Sequence, residues 1–395
     1  MNRYRRQIAA SAGLALLLAG LAAAPLAAAR RQGPAAAAPP AVSYEETARF
    51  LSGLSCSQAG LRALQETPTV DDFMTAMDRS WADLEAKRLK PMREWAALEL
   101  AEARRATKTL FYPFGGPDFL TAFELFPEAE TYVLLGLEFV GRLPDVAVFT
   151  PARAAGSALA VQSALSDFFK KSYFITHNMD VSLARDQVDG VLPVLCLFME
   201  RTGNRILGLK RCEFLPTGEL LESAVLEPAK KLRRPYGIKI EFQAAAGGPA
   251  KALYYFSCDL ADKAFAIDSI FYKFLAAGTY ETTFVKSASY LMHYETFEHI
   301  RGLVLAKSRF VLQDDTGIPY RHFRPEAWRI RLYGEYIKPV KDFSGVEQTD
   351  LKQAYADPAS DVRKLPFHLG YHWGTHKDSY QYFERRGAAE GAGPR

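Results

Sequence analysis

The sequence predicts an α/β protein: a mixed, largely parallel sheet with an antiparallel β insertion and an N-terminal helical segment. Three observations carry this. Thr109–Leu137 and Thr282–Leu312 each read strand, helix, strand within about 30 residues, the length of one right-handed βαβ unit. The first unit's strands, TLFYPF and TYVLLGL, are near-continuous apolar runs of the kind buried on both faces. Upstream of both, apolar residues recur at helical spacing instead.

Ser43 and Glu46 have capping-box spacing and open a helix through Phe50 and Leu51. Thr69 and Asp72 repeat it loosely before Phe73, Met77, Trp81 and Leu84, a core-facing helical stripe. Pro91 breaks or offsets that helix, and Met92–Ala103 forms another, so 43–106 is a helical prelude to the α/β domain at 107–383. In the first βαβ unit, Gly115-Gly116-Pro117 make the turn, with Pro117 at the first helical position, and Asp118–Phe126 the helix. Ala158–Lys171 and Arg185–Arg201 are helices, the second buried and kinked at Pro193. Residues 205–259 form the insertion, with strands Arg205–Leu215, Gly237–Gln243 and Ala252–Cys258, the last two a hairpin through Ala244–Ala250. The second unit runs Thr282–His293, Thr296–Lys307 and Arg309–Leu312, followed by a half-exposed strand at Trp328–Ile337, a short helix at Gln348–Ala356 and a flexible tail at 384–395. Two such units in one sheet imply a Rossmann-like core.

The chain has 395 residues, 49% hydrophobic and 24% charged, which places it among globular proteins. Its net charge is only +4, three units of which come from Arg3, Arg5 and Arg6. With no RGG, zinc-finger or RNP-type pattern, this excludes a dedicated nucleic-acid binder. Cys56, Cys196, Cys212 and Cys258 are too few for a disulfide scaffold and too widely spaced for a zinc ligand pair. Cys196 lies in an apolar run and reads as a buried thiol, while Cys212 and Cys258 would pair if their strands were neighbours.

Arg3, Arg5 and Arg6 precede an uncharged Ala/Leu-rich stretch that ends in Ala27-Ala28-Ala29. That is the pattern of a secretory signal peptide over 1–29, followed by an Ala/Pro-rich linker at 30–42. Arg5-Arg6 partly match a twin-arginine signal. The competing expectation is an uncleaved anchor, the one route by which this chain would contact a membrane. The protein is therefore expected to be exported, periplasmic or extracellular.

The segments FYPFGGPDFL at Phe111–Leu120 and YVLLGLEFVG at Tyr132–Gly141 resemble exported bacterial proteins with an F-Y-P-F-[SG]-G-P-D-F signature. KSASYLMH at Lys286–His293 and VLQDDTGIPY at Val311–Tyr320 are similar to the same proteins. Gly115 stands where others carry serine. The resemblance implies export and supplies no catalytic residue, substrate or cofactor.

In open parallel sheets ligands bind beyond the carboxyl ends of the strands. Tyr112, Gly115, Gly116 and Asp118 lie there after the first strand, and Glu138 after the second. The later unit adds His293, Tyr294 and Glu295, then Gln313, Asp314 and Asp315. Asp118, Glu138, His293, Asp314 and Asp315 are the candidate acids and base, and Tyr112, Gly115, Gly116 and Tyr294 the candidate ligand contacts. The plainer expectation makes Asp118 a helix cap, Asp314, Asp315 and Gly317 a turn, and Glu138 a solvated strand end. The G-G-P-D turn is no phosphate cradle, because Asp118 is negative and Pro117 has no N–H to offer. His368, His372 and His376 would fall on one face of a terminal strand opposite Phe367, Leu369, Tyr371 and Trp373. Four residues on a strand span about 13 Å, too far for two of these histidines to share one ion. Asp315-Thr316-Gly317 matches the aspartic-protease triplet but occurs once, after Gln313-Asp314 rather than an apolar pair, and no G-x-S-x-G elbow occurs. No metal and no cofactor is therefore expected. The leading expectation is a cleft at the carboxyl rim that binds or acts on a small polar or saccharide-like ligand. Its rivals are a non-catalytic envelope or interaction protein and a degenerate methyltransferase-like fold with Glu138 at the ribose position; enzyme and binding protein stay open.

Overall fold

The computed structural model describes residues 42–174, 189–223, 235–245, 247–375 and 377–387. The signal peptide, nearly all of the linker, the start of the expected 185–201 helix, His376 and most of the tail lie outside these residues.

Helices α1 (Tyr44–Leu51), α2 (Ala59–Gln65), α3 (Pro68–Leu84), α4 (Lys90–Glu99) and α5 (Ala101–Ala106) come first. Ser43 caps α1 by accepting the Glu46 N–H at 3.1 Å, but only half the capping box forms. The Glu46 carboxylate instead accepts the Ser57 and Gln58 N–H groups at 2.9 and 3.1 Å. Thr69 and Asp72 are no cap, because α3 begins earlier, with Pro68 in its first turn. Pro91 does offset the helix: a π-helical turn at Glu85–Leu89 joins α3 to α4. Proline cannot donate to the preceding turn, and the wider turn re-phases the chain so that Leu84, Leu89 and Met92 all stay buried.

Next come β1 (Thr109–Tyr112), α6 (Phe119–Leu125), β2 (Thr131–Gly136), α7 (Pro151–Lys171) and α8 (Leu192–Arg201). Pro193 sits in the first turn of α8, where no helical hydrogen bond is lost, so it starts the helix and does not kink it. The β-rich stretch supplies β3 (Asn204–Phe214), β4 (Leu220–Ser223), β5 (Tyr236–Ala244) and β6 (Lys251–Ser257). The chain then continues through α9 (Ile270–Ala277), β7 (Thr282–Val285), α10 (Glu298–Lys307), β8 (Phe310–Asp314), β9 (Trp328–Gly334), α11 (Thr349–Ala356), β10 (Val362–Arg363) and β11 (Ser379–Arg385).

The eleven strands among the described residues form one mixed sheet in the order β10-β9-β11-β8-β7-β1-β2-β6-β5-β3-β4. The run β8-β7-β1-β2-β6 is parallel, and it joins the two βαβ units directly, Leu110 facing Thr282 and Phe111 facing Thr283. The sheet is less parallel than expected, since β11 is antiparallel to both β8 and β9 and β3, β4 and β5 alternate on the other side. The β-rich stretch joins this same sheet, its last strand pairing in parallel with β2. β5 stands between β3 and β6, so Cys212 and Cys258 do not pair, and all four cysteines are buried and joined in no disulfide.

Alternation along β1 and β2 sends Leu110, Tyr112, Tyr132 and Leu134 into a core shared with α1 to α8. Phe111, Val133 and Leu135 go to the opposite face, under α9 and α10. Because α6 and α10 cover opposite faces, the connections leaving β1 and β7 diverge, and the gap between those two strands is the topological switch point of the sheet. The expected strand at 282–293 stops at Val285, and 367–373 is not a strand: Gly370, at φ +80°, turns the chain into a short 3₁₀ segment. The apolar alternation there is real but serves core packing, with Phe367 against Trp95 at 5.3 Å between ring centres.

Candidate functional site

Asp118 stands where β1 gives way to α6. Its Oδ1 accepts the Thr121 N–H at 3.1 Å, so the expected cap forms. Its Oδ2 accepts the Tyr112 hydroxyl at 3.1 Å and lies 2.7 Å from Lys286 Nζ. Lys286 is the first residue after β7, so this ion pair crosses the switch point. The ammonium also donates to the Ser172 carbonyl at 2.5 Å. Burial, then the adjacent Asp118 charge, holds the Tyr112 hydroxyl well above its ordinary pKa, which keeps it a donor.

Asp314 closes β8 and Asp315 follows it. Asp314 accepts from the Ser287 N–H at 2.9 Å, the Thr316 N–H at 3.0 Å and the Thr316 hydroxyl. Burial and the neighbouring Asp315 charge outweigh those bonds and lift its carboxyl to about 7. Asp315 Oδ2 accepts the Tyr290 hydroxyl at 2.6 Å and lies 3.3 Å from His372 Nε2. Burial alone would lower the His372 pKa, but the Asp315 carboxylate outweighs it and the imidazole is raised. His293 shows the reverse: burial pushes it down to about 4 against the pull of Asp315, so its ring is neutral. His293 Nε2 is buried without a hydrogen-bond partner.

The loop after β7 is strained. Ser287, Ser289 and Tyr290 have φ between +52° and +56°, three of the five non-glycine residues with positive φ among those described. Surrounding bonds hold it there. The Ala288 N–H donates to Thr316 Oγ1 at 2.8 Å, and the Tyr371 hydroxyl donates to the Ser287 carbonyl at 3.1 Å. The Ser287 hydroxyl itself is buried and unpartnered. Gly370 lies directly over this cluster: a Cβ there would sit 3.0 Å from Asp314 Oδ2 and 3.2 Å from Ser287 Oγ.

The structure thus gathers Tyr112 and Asp118 at the switch point, with Asp314, Asp315 and His293 at the ends of the neighbouring strand and loop. Glu138 and Gly116 meet at the adjoining gap between β1 and β2. Glu138 is buried rather than solvated; the Tyr255 hydroxyl reaches its carbonyl at 2.9 Å and its Oε2 at 3.2 Å. Gly116, at φ +52°, lets the Glu138 carboxylate approach, and Gly115 packs flat on the Tyr112 ring. His293 is not at a strand end but in a 3₁₀ turn, because the chain leaves the sheet at Lys286. Tyr294 is half exposed, and its carbonyl accepts from Arg301 at 3.2 Å, so it stands apart from the acids. His368 pairs with Asp378 at 2.6 Å, not with His372. Among the described residues no group of three or more histidine, cysteine or acidic side chains is placed to hold a metal.

Sequence reasoning missed Lys286, Ser287 and Tyr290 as site residues and His372 as the partner of Asp315. A lysine directly after the apolar run Thr282–Val285 was a usable signal. The His372–Asp315 pair spans 57 residues and leaves no local pattern. Comparison with protein-family models finds no match, and comparison with curated proteins finds none either.

Proposed function

We propose that this is an exported protein with a Rossmann-like parallel core whose carboxyl rim binds or acts on a small polar, saccharide-like ligand through proton exchange. One observation carries the proposal. Two consecutive buried aspartates end β8, one with its carboxyl near neutrality and the other shared between Tyr290 and His372. Groups that can give or take a proton near pH 7, held on a strained loop at a switch point, suit acid–base work on hydroxyl-bearing ligands. The unpartnered Ser287 hydroxyl and His293 Nε2 offer two further ligand contacts. The leader pattern and the resemblance at Phe111–Gly141 support export, and recovery of a mature protein beginning near Arg30 from the native host would establish it.

A second reading, a non-catalytic envelope or interaction protein, draws on the Lys286–Asp118 pair, which fills the switch point with the chain's own side chains. Thermal-shift screening against sugars, polyols, nucleotides and metals separates the two. A ligand that raises the Tm of the wild type but not of Asp315→Ala or His293→Ala supports the rim site. An unchanged Tm across the panel favours the interaction protein.

A further inference from the structure

The geometry points to a second binding site, outside the rim, in the groove between α3 and α7: a pocket for a small amphipathic anion, an oxyanion head on an apolar body. The cavity encloses about 510 Å³, within the range of small-ligand sites. Three cations line it, Lys87, Arg88 and Lys170, against one acid, Asp83, which is already paired with Lys87 at 2.8 Å. Lys170 also lies 5.8 Å above the Trp373 ring, which holds its ammonium at the edge of the groove. Met77, Leu84 and Phe169 supply apolar lining, and Ser80 and Ser166 add polar lining.

Arg88 gives the site its character. It lies on the π-helical turn at Glu85–Leu89, a distortion that recurs at functional sites. Its guanidinium donates to the Phe168 and Phe169 carbonyls, at 3.4 and 3.5 Å, and among the described residues it forms no ion pair within 4.0 Å, the Asp118 and Asp378 carboxylates acting on it only from farther off. A half-buried guanidinium with five donors and two long bonds retains capacity for a carboxylate or phosphate. An anion there would gain the pair that the fold leaves unmade, while its apolar body covers Met77 and Phe169.

Isothermal titration of the full chain with octanoate, octyl phosphate, inorganic phosphate and 1-octanol tests this. One octanoate or octyl phosphate should bind per chain, the tighter of the two identifying the head group. Phosphate and octanol, each carrying half the chemistry, should bind at least about tenfold more weakly. Arg88→Gln should weaken the amphiphile about tenfold, as should Lys170→Glu, an exposed change that keeps α7 intact if the first variant misfolds. Octanol binding as tightly as octanoate, an unchanged affinity in Lys170→Glu, or no binding of either amphiphile would overturn the assignment. None of these outcomes bears on Asp314 or Asp315, so the rim proposal stands or falls separately.

Discussion

Lys286 Nζ and Asp118 Oδ2 meet at 2.7 Å across the switch point of the sheet, with both side chains no more than 3% exposed. Removing one partner leaves a buried charge without compensation, which costs about 3–5 kcal/mol. Lys286→Met should therefore lose roughly that much in urea unfolding. Asp118→Asn should lose a similar amount while keeping the α6 cap, since asparagine caps as well as aspartate. The double variant should recover a large part of the loss, because no lone charge remains. Strictly additive losses in the cycle would show that the two side chains are not coupled.

The rim acids and histidines set a pH dependence with a definite sign. Asp314 has a folded pKa raised to about 7 from 3.8, so its contribution is fully present below the unfolded value and is lost as pH rises through about 7. His372, also raised, loses its contribution in the same direction. His293, lowered to about 4 from 6.5, acts oppositely, and its contribution is lost as pH falls from 6.5 toward 4. Asp314→Asn should flatten the decline in stability between about pH 4 and 7 by up to ~1.4 kcal/mol per pH unit. Denaturation midpoints across that range give the slope directly. Parallel curves for variant and wild type would refute the elevated carboxyl.

What was legible in the sequence follows from how each interaction is encoded. β1 and β2 announced themselves because a strand buried on both faces needs a continuous apolar run, and Leu110 to Tyr112 supply one. β11 did not, because its buried interior includes Gln381, which is tolerated only because Gln313 donates to it at 3.3 Å across the sheet. Asp118 was readable both as cap and as rim residue because helix capping is local. Its ionic partner is 168 positions away, and no spacing rule reaches that far. The loop at 286–294 was mistaken for strand because SASYLM is as apolar as a strand; what turns it out of the sheet is bonding to Asp314, Thr316 and Tyr371.

Gly370→Ala tests how tightly the 369–372 turn seals that loop. A side chain at φ +80° costs about 1–2 kcal/mol in backbone strain alone. The new methyl would also press on Asp314 Oδ2 at 3.0 Å and Ser287 Oγ at 3.2 Å. Stability should fall by about 2–3 kcal/mol, and the pH slope assigned to Asp314 should change with it. Gly374→Ala, where a Cβ meets nothing within 4 Å, is the control and should leave both unchanged.

The cysteines bear on the proposed export. An oxidising compartment favours disulfides wherever two thiols can meet, yet Cys56, Cys196, Cys212 and Cys258 are each buried and joined in no disulfide. Burial raises the pKa values of Cys56, Cys196 and Cys212, with Cys56 and Cys212 both pushed up to about 12, so thiolate is scarce there at neutral pH. Cys212 and Cys258 are further separated by β5, which occupies the sheet position between their strands. Protein purified from the periplasm without reductant should therefore give no reaction with a thiol reagent while folded and four thiols per chain in denaturant. Two thiols would mean that one pair had joined, and peptide mapping of that pair to Cys212 and Cys258 would mean that β3 and β6 approach each other in a way this strand order forbids.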